Sequence, residues 1–292
     1  MVDDEGLVGG ELRIGGLDRS FTVRLPGAAD GRPVPLAIVL HGNFPSAGGH
    51  LMRQWTTFDQ QADVWGWAIA YPDGHAGSWA DGRGVTAAEE AGVDDVAFLR
   101  AVIDWSAERY GTWADRIVVA GISNGAFMAH RLATEASDQV AVLAAVAGGL
   151  PAVLQEVQPT HAVSAMLIHG TADRISPIEG GYSRHLGPDG QQRGRTLSLQ
   201  ETADRWSTVD RCPPGVGESR TTELSDRTTS TVGVGGTRVA TWTVFGGGHT
   251  WPGMVATWEG AEPDTHEFDA AEEICRFAAP LLGSAEERKL TE

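Results

Sequence analysis

Gly121-Ile122-Ser123-Asn124-Gly125 is a Gly-x-Ser-x-Gly pentapeptide set between two runs of opposite pattern. Arg116-Ile117-Val118-Val119-Ala120 before it is short, apolar and β-branched, as a buried parallel strand should be. Ala126-Phe127-Met128-Ala129-His130-Arg131-Leu132-Ala133 after it reads as a helix. A serine in that context sits on a nucleophile elbow. The turn demands an unfavourable backbone angle at the serine, and the flanking glycines let strand and helix pass without Cβ collisions. Ser123 Oγ is then expected to stand clear of the sheet edge. The N–H of Asn124 opens the helix and would face a developing oxyanion, aided by the helix dipole. With 38 glycines in 292 residues the pentapeptide can also arise by chance, so its weight depends on finding its catalytic partners downstream.

An elbow requires its acid and histidine later in the chain, each on a loop after a later strand. Ala165-Met166-Leu167-Ile168 runs into His169-Gly170-Thr171-Ala172-Asp173, which gives Asp173 as the acid. Val239-Ala240-Thr241-Trp242-Thr243-Val244-Phe245 is followed by Gly246-Gly247-Gly248-His249, which gives His249 as the general base. Attack by Ser123, proton transfer through His249 and orientation by Asp173 together make acyl-transfer chemistry. A second oxyanion donor is expected where Leu36-Ala37-Ile38-Val39-Leu40 leads into His41-Gly42-Asn43-Phe44-Pro45. The backbone N–H of Asn43 is the expected donor, with Phe44 as the alternative. His41, His130 and His169 read as structural hydrogen-bonding residues.

Around these motifs the chain alternates strands and helices. Residues 11–14 and 21–25 read as an opening antiparallel hairpin. After Leu36, strands at 67–71, 140–147 and 165–168, and a helix at 94–110, continue the repeat. The implied class is α/β, with a mostly parallel central sheet and helices on both faces. Asp94 and Asp95 lie in the first turn of their helix and before the nucleophile, so they read as caps. Residues 180–195 and 215–236 are Gly- or Thr-rich and are expected to be lid or edge insertions that set specificity. Trp79, Trp251 and Trp258 fall on loops beside the active-site segments, where an indole could stack on a substrate ring. Phe44 joins Trp79 and Trp251 as an expected substrate contact.

A net charge of −17 argues against nucleic-acid and anionic-membrane partners and is compatible with neutral esters. No His/Glu or cysteine pattern suggests a metal site, so no metal and no cofactor are expected. No stretch approaches the length of a membrane-spanning helix. Residues 1–6 have neither a basic region nor an apolar stretch, so the chain as written is expected to be cytoplasmic, and extracellular if a leader has been trimmed from it. Its length suits one α/β domain over 1–292, with a core of about 12–282. The oligomeric state is not legible.

Five blocks in order, Leu40-His41-Gly42, Tyr71-Pro72-Asp73-Gly74, Val93-Asp94-Asp95-Val96-Ala97-Phe98, the elbow, and Gly247-Gly248-His249-Thr250-Trp251-Pro252-Gly253, resemble the polyhydroxybutyrate depolymerase and feruloyl esterase family. The last block is far more specific than the elbow. The resemblance implies a single α/β-hydrolase domain that cleaves carboxylic esters with Ser123, Asp173 and His249. Its implied substrates are polyhydroxyalkanoates, hydroxycinnamoyl esters or smaller esters. An acyltransferase using the same triad, and a depolymerase acting directly on polymer, are the alternatives. With no polymer-binding segment read after Leu282, soluble oligomers and small or cinnamoyl esters are favoured. Many relatives pair a cysteine from the segment matching 206–212 with one just before the catalytic histidine. Here residues 239–245 hold no cysteine, and Cys275 falls with Ala271, Ile274 and Ala278 on an apolar helix face. A Cys212–Cys275 disulfide is therefore conceivable but not favoured.

Overall fold

Side chains along Leu36-Ala37-Ile38-Val39-Leu40 alternate between two hydrophobic layers. Leu36, Ile38 and Leu40 pack into one, Ala37 and Val39 into the other. This is the period of two that a strand buried on both faces must have. The structure, a computed structural model, describes residues 6–27, 32–44, 46–182, 190, 192, 194–255, 262 and 264–283.

In chain order the elements are β1 (Leu7–Ile14), β2 (Leu17–Arg24), β3 (Leu36–Leu40), α1 (Gly49–Trp55), α2 (Phe58–Trp65), β4 (Ala68–Pro72), α3 (Ala87–Glu90) and α4 (Asp95–Tyr110). There follow β5 (Ile117–Ile122), α5 (Asn124–Glu135), β6 (Val140–Val146), β7 (Ser164–Gly170), α6 (Leu199–Val209), β8 (Val216–Thr221), β9 (Ser225–Ser230), β10 (Val239–Val244) and α7 (Ala270–Leu282). The ten strands form one sheet in the order β1-β2-β4-β3-β5-β6-β7-β10-β9-β8. From β4 to β10 every pairing is parallel, and antiparallel hairpins extend both edges. Helices α4, α5 and α6 cover one face through residues such as Phe98, Met128 and Trp206. Helices α1, α2 and α7 cover the other through Met52, Phe58 and Ile274. This is the α/β architecture read from the sequence.

Local chemistry sets the helix ends. Asp94 caps α4 by accepting from the Ala97 N–H at 2.9 Å, and Gly111 ends it in the left-handed region. Asp95 departs from the cap reading. It is fully buried, pairs with Arg19 at 2.7 Å and accepts from the Ala80 N–H at 2.7 Å. Cys212 and Cys275 are both free thiols, Cys275 being buried on α7.

One segment differs from its sequence reading. The first hairpin begins at Leu7, not residue 11, because Gly10 leaves room for the Phe21 ring on the facing strand. A Cβ there would come within 2.3 Å of that ring. Residues 215–236, expected as a lid or edge insertion, mostly form an edge hairpin in which β9 pairs with β10 and β8 with β9. Polar β-formers suit a sheet edge open to water.

Candidate active site

Ser123 lies between the last residue of β5 and the first of α5, with φ at 56°. That angle is costly for a residue with a side chain. Its neighbours show why both glycines are needed. A Cβ on Gly121 would come within 2.3 Å of the Gly125 carbonyl oxygen, and one on Gly125 within 2.3 Å of the Leu40 carbonyl oxygen. The Ser123 N–H donates to the Val146 carbonyl at 3.0 Å, tying the turn to the next strand.

Beside Ser123 the loop after β3 supplies Asn43 and Phe44. The Phe44 N–H donates to the Gly77 carbonyl at 3.2 Å, so the alternative oxyanion donor is already engaged. The Asn43 N–H has no acceptor among the described residues, and Asn43 shares a cavity wall with Ser123 and Asn124. Asn124 opens α5, where an N–H has no intrahelical partner. His41 is held by two backbone groups: Nδ1 donates to the Gly42 carbonyl at 2.7 Å and Nε2 accepts from the Gly74 N–H at 2.9 Å. Burial lowers its pKa, so it is a neutral structural residue.

Asp173 follows β7 and His249 follows β10, strands that are neighbours in the sheet. His249 Nδ1 lies 2.8 Å from Asp173 Oδ2. The other carboxylate oxygen accepts from the Ile175 and Ser176 N–H groups at 2.9 and 2.8 Å. Burial alone would raise the pKa of Asp173, but hydrogen bonds from His169, His249 and the Ser176 backbone outweigh it and hold the carboxyl below its usual range. His169 Nε2 donates to the Ser176 carbonyl at 2.7 Å, bracing the loop that carries Asp173. The backbone N–H of His249 donates to Glu262 Oε2 at 2.6 Å. Ser123 Oγ has no hydrogen-bond partner among the described residues. It faces the same cavity as His249.

That cavity has a volume of about 410 Å³. Phe44, Phe127, Val85, Ile175 and Tyr182 give it an apolar lining, and Arg83 adds a guanidinium. Of the aromatic side chains expected to touch substrate, Phe44 does line it. Trp79 and Trp251 do not. Trp79 is fully buried, its indole N–H donating to the His41 carbonyl at 3.0 Å, and Trp251 packs against Phe58 in the core. Large indole surfaces gain more from burial than from a loop-tip position. Trp258 lies outside the described residues, as does most of segment 180–195, although Gly181, Tyr182 and Gly194 reach the cavity.

Sequence reasoning missed the loop after β4. Asp81 is fully buried there, and its Oδ2 accepts from Asn124 Nδ2 at 2.6 Å and from Arg83 Nε and Nη2 at 2.9 and 2.8 Å. Asn124 Oδ1 accepts from the Trp79 N–H at 2.7 Å. Desolvation raises the Asp81 pKa and Arg83 opposes that. The loop thus grips the residue that opens α5. The only sequence signal was an acidic and a basic residue two apart, which is common on any surface.

The profile of the esterase PHB depolymerase family matches residues 19–180. The chain belongs to that family. It is a serine esterase, a carboxylic ester hydrolase of α/β-hydrolase fold. This esterase is 33% identical over 263 residues to the protein named "Putative esterase NocK" from Nocardia uniformis subsp. tsuyamanensis, a match covering 83% of this chain and 73% of the relative. Among solved structures, the acetyl xylan esterase from Aspergillus awamori superposes with a TM-score of 0.60 at 12% identity, over 93% of this chain and 99% of that one. Native sOPH gives 0.53 at 16% identity, over 86% and 83%. At such identities the likeness is one of fold. Among the described residues no group of three His, Cys, Asp or Glu side chains is placed to hold a metal ion, and no helix is long and apolar enough to cross a membrane.

Proposed function

We propose that the esterase hydrolyses soluble carboxylic esters through an acyl-enzyme on Ser123, with His249 as general base and acid and Asp173 as its orienting partner. The observation that carries this reading is the 2.8 Å contact between His249 Nδ1 and Asp173 Oδ2, made by a histidine that shares a cavity wall with Ser123. An Nδ1–H committed to the carboxylate leaves Nε2 as the lone-pair nitrogen that takes the serine proton. The oxygen of the tetrahedral intermediate would be met by the Asn43 and Asn124 N–H groups, both without acceptors among the described residues and near the positive end of α5. His249 then returns its proton to the leaving alcohol, and water repeats the cycle to release the acid.

The cavity size supports a small substrate, since about 410 Å³ lies within the range that encloses a small molecule. Aromatic walls at Phe44, Phe127 and Tyr182 favour short aliphatic or cinnamoyl-type acyl groups over a bulk polymer surface. Comparing kcat/KM for short aliphatic esters, methyl ferulate, soluble hydroxybutyrate oligomers and a polymer film tests this. Turnover of the soluble esters with little release from the film is expected. Efficient release from the film together with poor turnover of every soluble ester would reverse the reading.

A further inference from the structure

Arg83 is the only fixed charge among the described residues that line the cavity. Its side chain is 10% exposed and its guanidinium stacks 3.7 Å from the centre of the Phe127 ring, another lining residue. Asp81 anchors it, taking one N–H from Nε and one from Nη2, while the Arg83 backbone N–H donates to Asp81 Oδ1 at 2.9 Å. A guanidinium carries five N–H donors. Both on Nη1 and the second on Nη2 have no acceptor among the described residues. A rigid planar fork with unspent donors is thus fixed in the wall that holds Ser123 and His249.

Such donors are costly to leave unmet once a substrate displaces the cavity water. The charge is already balanced by the buried Asp81 carboxylate, and the chain as a whole is strongly acidic. A second negative charge gains little there, whereas an uncharged oxygen gains a hydrogen bond without desolvating a carboxylate.

We propose that Arg83 is a specificity-determining residue that donates hydrogen bonds to an uncharged oxygen of the substrate outside the scissile ester, namely a second ester carbonyl. Small diesters are therefore expected to be favoured over monoesters of matched length. This rests on the ester-hydrolase reading above and narrows it.

The test compares kcat/KM for matched pairs. Dimethyl adipate against methyl octanoate places the second carbonyl on the acid side; ethylene glycol diacetate against pentyl acetate places it on the alcohol side. After allowance for the two equivalent esters, the diester should win by about tenfold or more in at least one pair, since a hydrogen bond to a charged donor is worth that much. In Arg83→Met that ratio should fall towards one, and Arg83→Lys, which keeps the charge but loses the fork, should restore only part of it. Because Arg83→Met strands the Asp81 carboxylate, the ratio is also measured in the Asp81→Asn, Arg83→Met double variant. A ratio near one in both pairs of the wild type, a ratio that Arg83→Met leaves unchanged, or a preference for monomethyl adipate over dimethyl adipate would each overturn the proposal. Hydrolysis of the monoesters without any preference removes the role of Arg83 alone. If none of these esters is hydrolysed, the substrate reading falls as well.

Discussion

Asn124 Nδ2 donates to the buried Asp81 Oδ2 at 2.6 Å, so a loop that precedes Ser123 by some forty residues holds the first residue of α5. Asp81 also holds Arg83, and removing its carboxylate strands donors on both partners. Asp81→Ala is expected to lower the unfolding free energy by about 3–5 kcal/mol, the usual range for breaking a buried ion pair. Urea denaturation checks this, and a midpoint equal to wild type would show that Asp81's contacts add no such stability.

Glu262 accepts from the backbone N–H of His249, the proposed general base, at 2.6 Å. It is half-buried and supplies a charge-assisted hydrogen bond. Glu262→Ala should reduce kcat about tenfold with a smaller effect on KM, because the imidazole loses its fixed approach rather than the substrate its contacts. Steady-state kinetics on one good monoester gives the split. A rise in KM at constant kcat would mean that Glu262 shapes the pocket instead.

Asp173 is ionised well below the usual carboxylate range because of the hydrogen bonds converging on it, burial notwithstanding. A carboxyl with a depressed native pKa adds stability above its unfolded value of about 3.9, and that stability is lost as pH falls through the native value. Asp173→Asn should flatten this acid limb and cut kcat by about 10⁴, since an amide no longer holds the productive tautomer. Thermal melts from pH 2 to 6 and initial rates at neutral pH read the two effects separately. Wild-type activity in the variant would remove Asp173 from the site.

Asp210 lies fully buried where α6 ends, accepting from the Val163 N–H at 3.0 Å, and desolvation pushes its pKa up to about 7. The native state therefore keeps a proton that the unfolded chain releases near pH 3.9, and stability falls as pH rises from about 4 to 7, levelling above that. His130 acts in the opposite sense. Its pKa is lowered by burial to about 3, so its contribution grows as pH rises from about 3 to 6.5. The effect of Asp210 is thus read as a difference: the gap between Asp210→Asn and wild type should widen in favour of the variant between pH 4 and 7. A constant gap across that window would contradict it.

The sheet is legible in the sequence because its strands obey a local rule, and the expected positions of the acid and histidine follow from the elbow. Short continuous apolar runs mark β3, β5 and β7, and the elbow dictates the order in which Asp173 and His249 have to occur. Asp81 and Arg83 are not legible, since their importance comes from Asn124, which reaches them only after the chain has folded. Trp79 and Trp251 mislead by their nearness in sequence to active-site motifs, although a large indole is drawn to the core wherever a cavity fits it. The β8–β9 hairpin hides in a Ser- and Thr-rich segment whose strands show no apolar alternation, because its stabilising contacts are the ladder bonds to β10.

The central claim is that Ser123 forms a covalent bond under the control of His249. Incubation with a para-nitrophenyl alkylphosphonate, with peptide mass mapping of the product, reads that bond directly. A single stoichiometric adduct on Ser123, formed far more slowly in His249→Gln, is the expected result. A protein left unlabelled, or labelled at another residue at an equal rate in both, would contradict it.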